Sequence, residues 1–404
     1  MTNLAGKPII LGVCGGIAAY KVADLASKLT QAGALVDVVM TAGAQRFVTP
    51  LTFNALTHRP VRTDLYGDWL GDDTGHVALA HTAAALVVAP ATANTIARLA
   101  LGLSDDLLGA IALSSRAPLL IAPAMEPGMY AHPATQGHLA TLHARGAAIM
   151  EPGAGRMASG LSGVGRLPDT AAILGALRAL LGRDGPLAGR RVVVTAGGTQ
   201  EPLDPVRYVG NRSSGQMGWA LAEAARDLGA AVTLIHGPVA LTPPYGVAAI
   251  AVGTTAELDA AVRAAVVGAA ALIMAAAPAD YRAAEVATHK IKKQPGEDTF
   301  TLAMAKNPDI LAGLRDLPGT ARLVRVGFAA ETEDLRANAA RKLGTKGLHL
   351  IVANEATASI GAAVSSVLLL DAAGSEALPQ QPKATTAATI LARVVALIRR
   401  NDGL

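Results

Sequence analysis

Short apolar runs recur along the first half of the chain: "IILGVC" from Ile9, "LVDVVM" from Leu35, "ALVVAP" from Ala85, "PLLIAP" from Pro118 and "AAIM" from Ala147. Between them the apolar period lengthens to that of a helix, most plainly in "GGIAAYKVADLASKLTQAG", which stops on Gly33. Strands that are apolar at nearly every position are covered on both faces, so the pattern predicts a parallel sheet flanked by helices. The stretch "LLGRDGPLAGRR" at residues 180–191 is rich in glycine and charge, and a fresh strand, "RVVVTAG", follows it. It predicts a division into domains 1–185 and 189–404. Beyond it "AVTLIHGP", "AALIMAAAPAD", "RLVRVGFAAET" and "LHLIVANEA" repeat the logic, each ending in small or polar residues where an open α/β sheet keeps its ligand crevice. The predicted fold class is α/β, with two Rossmann-like or flavodoxin-like parallel-sheet domains.

Composition narrows the partners. A chain of 404 residues exceeds what one core usually organises, in keeping with two domains. The net charge of +4 comes without any long Lys/Arg block. It therefore points to small anionic ligands such as phosphorylated metabolites and away from nucleic acid. The single cysteine, Cys14, forbids an intramolecular disulfide and suits a reducing compartment. The run around Cys14 is short and ends in a glycine turn, so it reads as a buried strand and not as a signal segment. No apolar run is long enough to span a bilayer, and the expected location is the cytoplasm, without a membrane partner.

The glycines of "GVCGGIAAYK" fall between a strand and a helix, where backbone N–H groups can face a phosphate. Thr41, Thr92 and Asn94 stand at other strand ends within reach of a cofactor. His76, in "TGHVALAH", precedes an apolar segment; His81 follows it without the carboxylates or cysteines a metal pair would need. As an ordered set, "GGIAAYK", "MT..A..F", "GH..L", "APATAN.IA..A.G..DDLL" and "PAM...MY..PAT" resemble the homo-oligomeric flavin-containing cysteine decarboxylases over residues 8–170. The resemblance implies that Gly15, Gly16, Ile17, Thr41, Ala91, Thr92, Ala93 and Asn94 hold FMN and that His76 is the base. It also implies the chemistry. The thiol of a C-terminal cysteinyl substrate loses its proton as a hydride passes to the flavin, CO2 leaves, and the enethiolate is reduced and protonated.

The second half carries the densest signal, "VTAGGTQEPLDPVRYVGNRSSGQMGWALAEAA", a strand, glycines and a donor-rich loop that opens a helix. With "AAAPADY", "HKIKK", "NPDIL", "GFAAET" and "ARKLGTKG" it resembles the bacterial phosphopantothenate–cysteine ligases over residues 189–392. That resemblance implies condensation of 4′-phosphopantothenate with L-cysteine through an acyl-cytidylate made from CTP, with Mg2+ accompanying the nucleotide. It assigns Asn211 to the intermediate and Arg207 to phosphopantothenate. Asp280, Lys290, Pro308, Asp309, Ile310, Leu311, Phe328, Lys342 and Lys346 fall to CTP, with Lys290 also catalytic. Metal ligands are not identified. The two families together imply trimeric decarboxylase cores with sites between subunits, dimeric ligase halves, and a dodecamer as the common assembly.

Two positions depart from the decarboxylase pattern. "PAME" ends in Glu126 where the family usually has an asparagine that binds the substrate carboxylate, and "RMASGLSGVGR" has Ser159 where it usually has the protonating cysteine. An alcohol is a far weaker acid than a thiol of pKa about 8.5. A carboxylate beside the substrate's own would repel it by about 1–4 kcal/mol at ~4 Å. Two carboxyl groups forced together share a proton, so a protonated Glu126 is the expected replacement acid, with Ser159 positioning the substrate. The alternative is an active ligase joined to a decarboxylase half that is silent or stops at the enethiol.

Overall fold

A computed structural model describes residues 3–66, 75–293, 299–331, 334–355, 362 and 364–403. The chain divides into two compact units, Met1–Gly182 and Arg183–Leu404.

In the first unit the five apolar runs form β1 (Pro8–Val13), β2 (Leu35–Met40), β3 (Ala85–Ala91), β4 (Leu119–Pro123) and β5 (Ala148–Ile149). They make one parallel sheet in the order β2-β1-β3-β4-β5. Every residue of β3 is buried, as expected of a strand with helices over both faces. The helix Ala19–Gln31 buries Ala19, Val22, Leu25, Ala26 and Leu29, the three- and four-residue spacing that turns one stripe to the sheet. Because the strand order reverses between β1 and β3, a crevice opens beyond their carboxyl ends. Beyond β5, the glycine-rich loop proves to be an antiparallel ribbon of β6 (Gly153–Arg156) and β7 (Ser162–Arg166).

The second unit holds an eight-stranded sheet. Its members are β8 (Arg191–Ala196), β11 (Ala231–His236), β12 (Ala248–Ala251), β13 (Ala271–Met274), β16 (Val324–Glu331), β17 (Leu350–Glu355), β18 (Val364–Asp371) and β19 (Gly374–Pro382), in the order β12-β11-β8-β13-β16-β17-β18-β19. The first six are parallel, and the order reverses between β8 and β13. Two short pairs, β9 (Glu201–Pro202) with β10 (Tyr208–Val209) and β14 (Tyr281–Ala283) with β15 (Met304–Lys306), stand apart from it. The sheet is not wholly parallel as expected: β18 and β19 form an antiparallel edge. A tight turn joins them, with Asp371 Oδ1 accepting from the Ala373 N–H at 2.8 Å, and so short a link permits only an antiparallel return. The last helix, Lys383–Asp402, closes the core with Ala387, Ile390, Leu391, Val394 and Ile398. Among the described residues no helix is long and apolar enough to cross a membrane.

Candidate active sites

The crevice of the first unit is a cavity of about 1030 Å³. Its floor is the pair of turns that end β1 and β2. Gly16 N–H bonds back to Cys14 O at 3.0 Å, and Thr41 N–H bonds to Val13 O at 3.1 Å, which holds the two turns side by side. The far wall is the start of the helix Ala93–Leu101, capped by Thr92, whose hydroxyl accepts from the Thr95 N–H at 3.3 Å. Gly15, Gly16, Ile17, Thr41, Thr92, Ala93 and Asn94 all line this cavity. Ala91 does not; it is wholly buried in β3, one residue short of the wall.

Glu126 and Ser159, remote in sequence, line the same cavity, with Arg156 and Arg166 beside them. Glu126 caps the short helix Pro127–Ala131: Oε2 accepts from the N–H groups of Gly128 at 2.8 Å and Met129 at 3.2 Å. The ribbon is docked on this segment by Met125 N–H donating to Gly165 O at 3.0 Å. A Cβ on Gly163 would stand 2.8 Å from Pro127 Cγ, so only glycine lets the ribbon lie this close. Ser159 sits in the turn of the ribbon, where Gly160 N–H bonds to Met157 O at 3.0 Å. His76, near the start of the helix Gly75–Thr82 and half-buried, is not among the residues lining this cavity.

The second unit has its own cavity, about 410 Å³, lined by residues of β13, β16, β17 and β18. It gathers Asn211, Asp280, Pro308, Asp309, Ile310, Leu311, Phe328, Lys342 and Lys346 from five separate segments of chain. Asn211 Nδ2 donates to Pro278 O at 2.9 Å, which ties the donor-rich loop to the segment that carries Asp280. Beneath them lies a buried hydroxyl pair: Thr199 Oγ1 accepts from the Ala279 N–H at 2.9 Å and lies 3.0 Å from Thr255 Oγ1. Thr255 in turn bonds the buried carboxylate of Glu201. Asp309 caps the helix Ile310–Gly313 and pairs with Lys346 Nζ at 3.1 Å. Burial opposes its ionisation, but the Ala312 N–H and the Lys346 ammonium outweigh that and hold Asp309 below the usual carboxylate range.

Sequence reasoning missed Lys383, Arg212, Lys306 and Asn354, which also line this wall. Lys383 is buried, donates to Gln216 Oε1 at 3.2 Å, and its ammonium pKa is pulled down by that burial. No motif surrounds it in "PQQPKATTAATI", so nothing local could have marked it. The cavity thus presents five cationic side chains, Arg212, Lys306, Lys342, Lys346 and Lys383, against the two carboxylates Asp280 and Asp309. Such a wall suits a polyphosphate.

Two predicted residues, Arg207 and Lys290, do not line this cavity. Arg207 is paired with Asp204, its Nη2 at 2.6 Å from Oδ2, and Lys290 lies on an exposed segment without regular structure. Burial of Asp204 opposes its charge, but the Arg207 guanidinium and the N–H groups of Val206, Ile291 and Arg207 prevail and hold the carboxyl well below its ordinary range.

Both halves of the chain match known families. Residues 1–182 match the flavoprotein family model, and residues 187–398 match that of the DNA/pantothenate metabolism flavoprotein C-terminal domain. The coenzyme A biosynthesis bifunctional protein CoaBC of Vibrio vulnificus is 43% identical over 401 residues, covering 98% of this chain and 100% of its own. The CoaBC proteins of Mycobacterium tuberculosis and Escherichia coli are 46% identical over 363 residues and 45% over 354, covering 86% and 87% of each chain. With both halves matched in order and the relatives covered nearly end to end, this chain belongs to the family of bifunctional coenzyme A biosynthesis proteins.

Proposed function

We propose that the chain catalyses two consecutive steps of coenzyme A biosynthesis. The second unit joins 4′-phosphopantothenate to L-cysteine at the expense of CTP, and the first decarboxylates the product, 4′-phosphopantothenoylcysteine, to 4′-phosphopantetheine. The observation that carries the ligase half is the cationic cavity in which Asn211, Asp280, Lys342 and Lys346 converge. The lysines and Arg212 would neutralise the triphosphate and the departing pyrophosphate, Asp280 would meet the nucleoside, and Asn211 would donate to the acyl-cytidylate. Among the described residues no group of three His, Cys, Asp or Glu side chains is gathered for a metal. Magnesium would therefore enter with the nucleotide, held chiefly by phosphate oxygens, as is usual for that ion.

The first cavity fits FMN on its own features. Its volume of about 1030 Å³ takes a tricyclic ring, and the glycine turn and the start of the Ala93–Leu101 helix offer N–H groups to a phosphate. FMN, when bound, supplies two-electron redox chemistry to the cysteinyl carbon. The chain's own share is proton placement. His76 accepts the thiol proton; in the trimer that the resemblance implies, His76 of one copy would complete the cavity of another. Glu126 is anchored through Oε2 by two N–H groups, which leaves Oε1 to face the substrate carboxylate, whose approach would bring the shared proton that is later delivered to the product. Ser159 positions the substrate from the turn of the ribbon.

The test is anaerobic addition of 4′-phosphopantothenoylcysteine to purified protein, with the product identified by mass. Release of 4′-phosphopantetheine with a return of the oxidised flavin spectrum supports the reading. A bleached flavin with enethiol bound refutes Glu126 as the acid, and absence of CO2 refutes decarboxylation altogether. Glu126→Gln should bind flavin and substrate but stall after CO2 loss; full turnover by that variant sinks its assignment.

A further inference from the structure

Outside both cavities, one buried carboxylate collects an unusual number of donors. Asp204 is 3% exposed. Its Oδ1 accepts from the N–H groups of Val206 at 2.8 Å and Arg207 at 2.9 Å, which closes the turn Leu203–Arg207. Its Oδ2 accepts from Arg207 Nε at 3.0 Å, Arg207 Nη2 at 2.6 Å and the Ile291 N–H at 3.1 Å. The same Nη2 also donates to Ile291 O at 2.6 Å. Leu203 O accepts from the Ala287 N–H at 3.0 Å, a second stitch between the two segments.

Two features separate this cluster from ordinary packing. Among the described residues, the stretch from Thr288 to Lys293 takes no hydrogen bonds other than those of Ile291. It has no helix or strand of its own, so what holds Lys290 in place is the link one residue away. Arg207, for its part, spends Nε and Nη2 on Asp204 and Ile291, and this leaves Nη1 as the edge that can meet a substrate oxygen.

We propose that Asp204 is a positioning residue of the ligase reaction, a single buried charge that aims Arg207 at the substrate phosphate or carboxylate and holds the Lys290 segment in register with it. The proposal rests on the reading of Arg207 and Lys290 as ligase residues. Removing the negative charge releases two elements that are 83 positions apart in sequence but serve one reaction, Arg207 on 4′-phosphopantothenate and Lys290 on the nucleotide. Because the nucleotide cavity is lined by other residues, loss of the Lys290 register should show chiefly in kcat, with KM for CTP changing far less than KM for 4′-phosphopantothenate.

The experiment is steady-state ligase kinetics on the full chain, with calorimetric melting of the second unit as the control for folding. Asp204→Asn keeps the size of the side chain and the Oδ1 acceptor. It should raise KM for 4′-phosphopantothenate about tenfold and lower kcat by a similar factor, with KM for CTP within twofold. In an Arg207→Ala background the same change should raise that KM no further. Ile291→Pro deletes the N–H that reaches Asp204 and keeps the carbonyl that Arg207 meets; it should lower kcat severalfold while KM for 4′-phosphopantothenate moves less than threefold. Equal changes in all KM values, or none, overturn the proposal. If Arg207→Ala itself leaves KM for 4′-phosphopantothenate unchanged, it is the underlying reading of Arg207 that fails. If Arg207→Ala raises it and Asp204→Asn does not, the positioning role fails alone.

Discussion

Gly15 offers a quantitative test of the flavin cavity. The turns after β1 and β2 meet here backbone to backbone. A Cβ on Gly15 would stand 2.7 Å from the carbonyl carbon of Gly43, 2.8 Å from its Cα and 3.0 Å from its oxygen. All three are main-chain atoms, so no side chain can swing aside. Ordinary carbon contacts lie at about 3.5–4.0 Å, and the turns must part by roughly 1 Å to admit a methyl group. Forcing extra atoms into such a contact costs about 1–3 kcal/mol. In Gly15→Ala the free protein relaxes by moving its turn out of line, and bound flavin must press it back. The cost then appears as cofactor affinity weakened about 5- to 150-fold. Quenching of FMN fluorescence on titration measures it, and the visible absorbance of the purified variant gives the retained fraction. Calorimetric melting of the first unit is the fold control, since both turns lie within it. An FMN affinity within twofold of the parent would refute the argument that this contact shapes the cofactor site.

Two further outcomes follow from buried groups. Thr199→Val removes the hydroxyl that receives the Ala279 N–H and strands a buried amide, a loss of about 1–3 kcal/mol. Calorimetry should show the second unit melting several degrees lower, with ligase activity reduced because Asp280 is the next residue. Cys14 is wholly buried, and desolvation raises its thiol pKa from 9.0 to about 11 against weaker hydrogen bonds from Thr95 and Thr92. A folded-state pKa above the unfolded one means that the folded protein keeps a proton the unfolded chain releases. The associated stability is therefore full below pH 9 and is lost as pH rises toward 11, with a limit of about 3 kcal/mol. Urea unfolding of the first unit across that range should show the decline, and Cys14→Ala should flatten it.

Much of this protein was legible along the chain because its signals are local. A strand buried on both faces must be apolar throughout, so β1 through β4 announce themselves, and a helix against a sheet must repeat its apolar positions as the Ala19–Gln31 helix does. The turn glycines after β1, and Thr92 capping the helix after β3, mark strand-to-helix crossings for the same reason. The short link makes β18 and β19 an antiparallel pair wherever they lie, but that this pair adds to β17 as the edge of the sheet is decided by packing and was not legible.

What only the tertiary structure decided is which distant segments share a wall. Sequence marks Asn211, Asp280 and Lys346 separately, but their meeting follows from the reversal of strand order between β8 and β13. Lys383 had no local signal at all. It joins the cavity because the final helix is laid against the sheet by residues such as Ile390 and Val394 that follow it. Glu126 and Ser159, each marked in the sequence, are brought onto one cavity by the docking of a ribbon whose glycines permit the approach. Local pattern reports which face of an element must leave water, because burial acts residue by residue. Chemistry depends on distances between residues far apart in the chain, and those are set by the packing of whole elements.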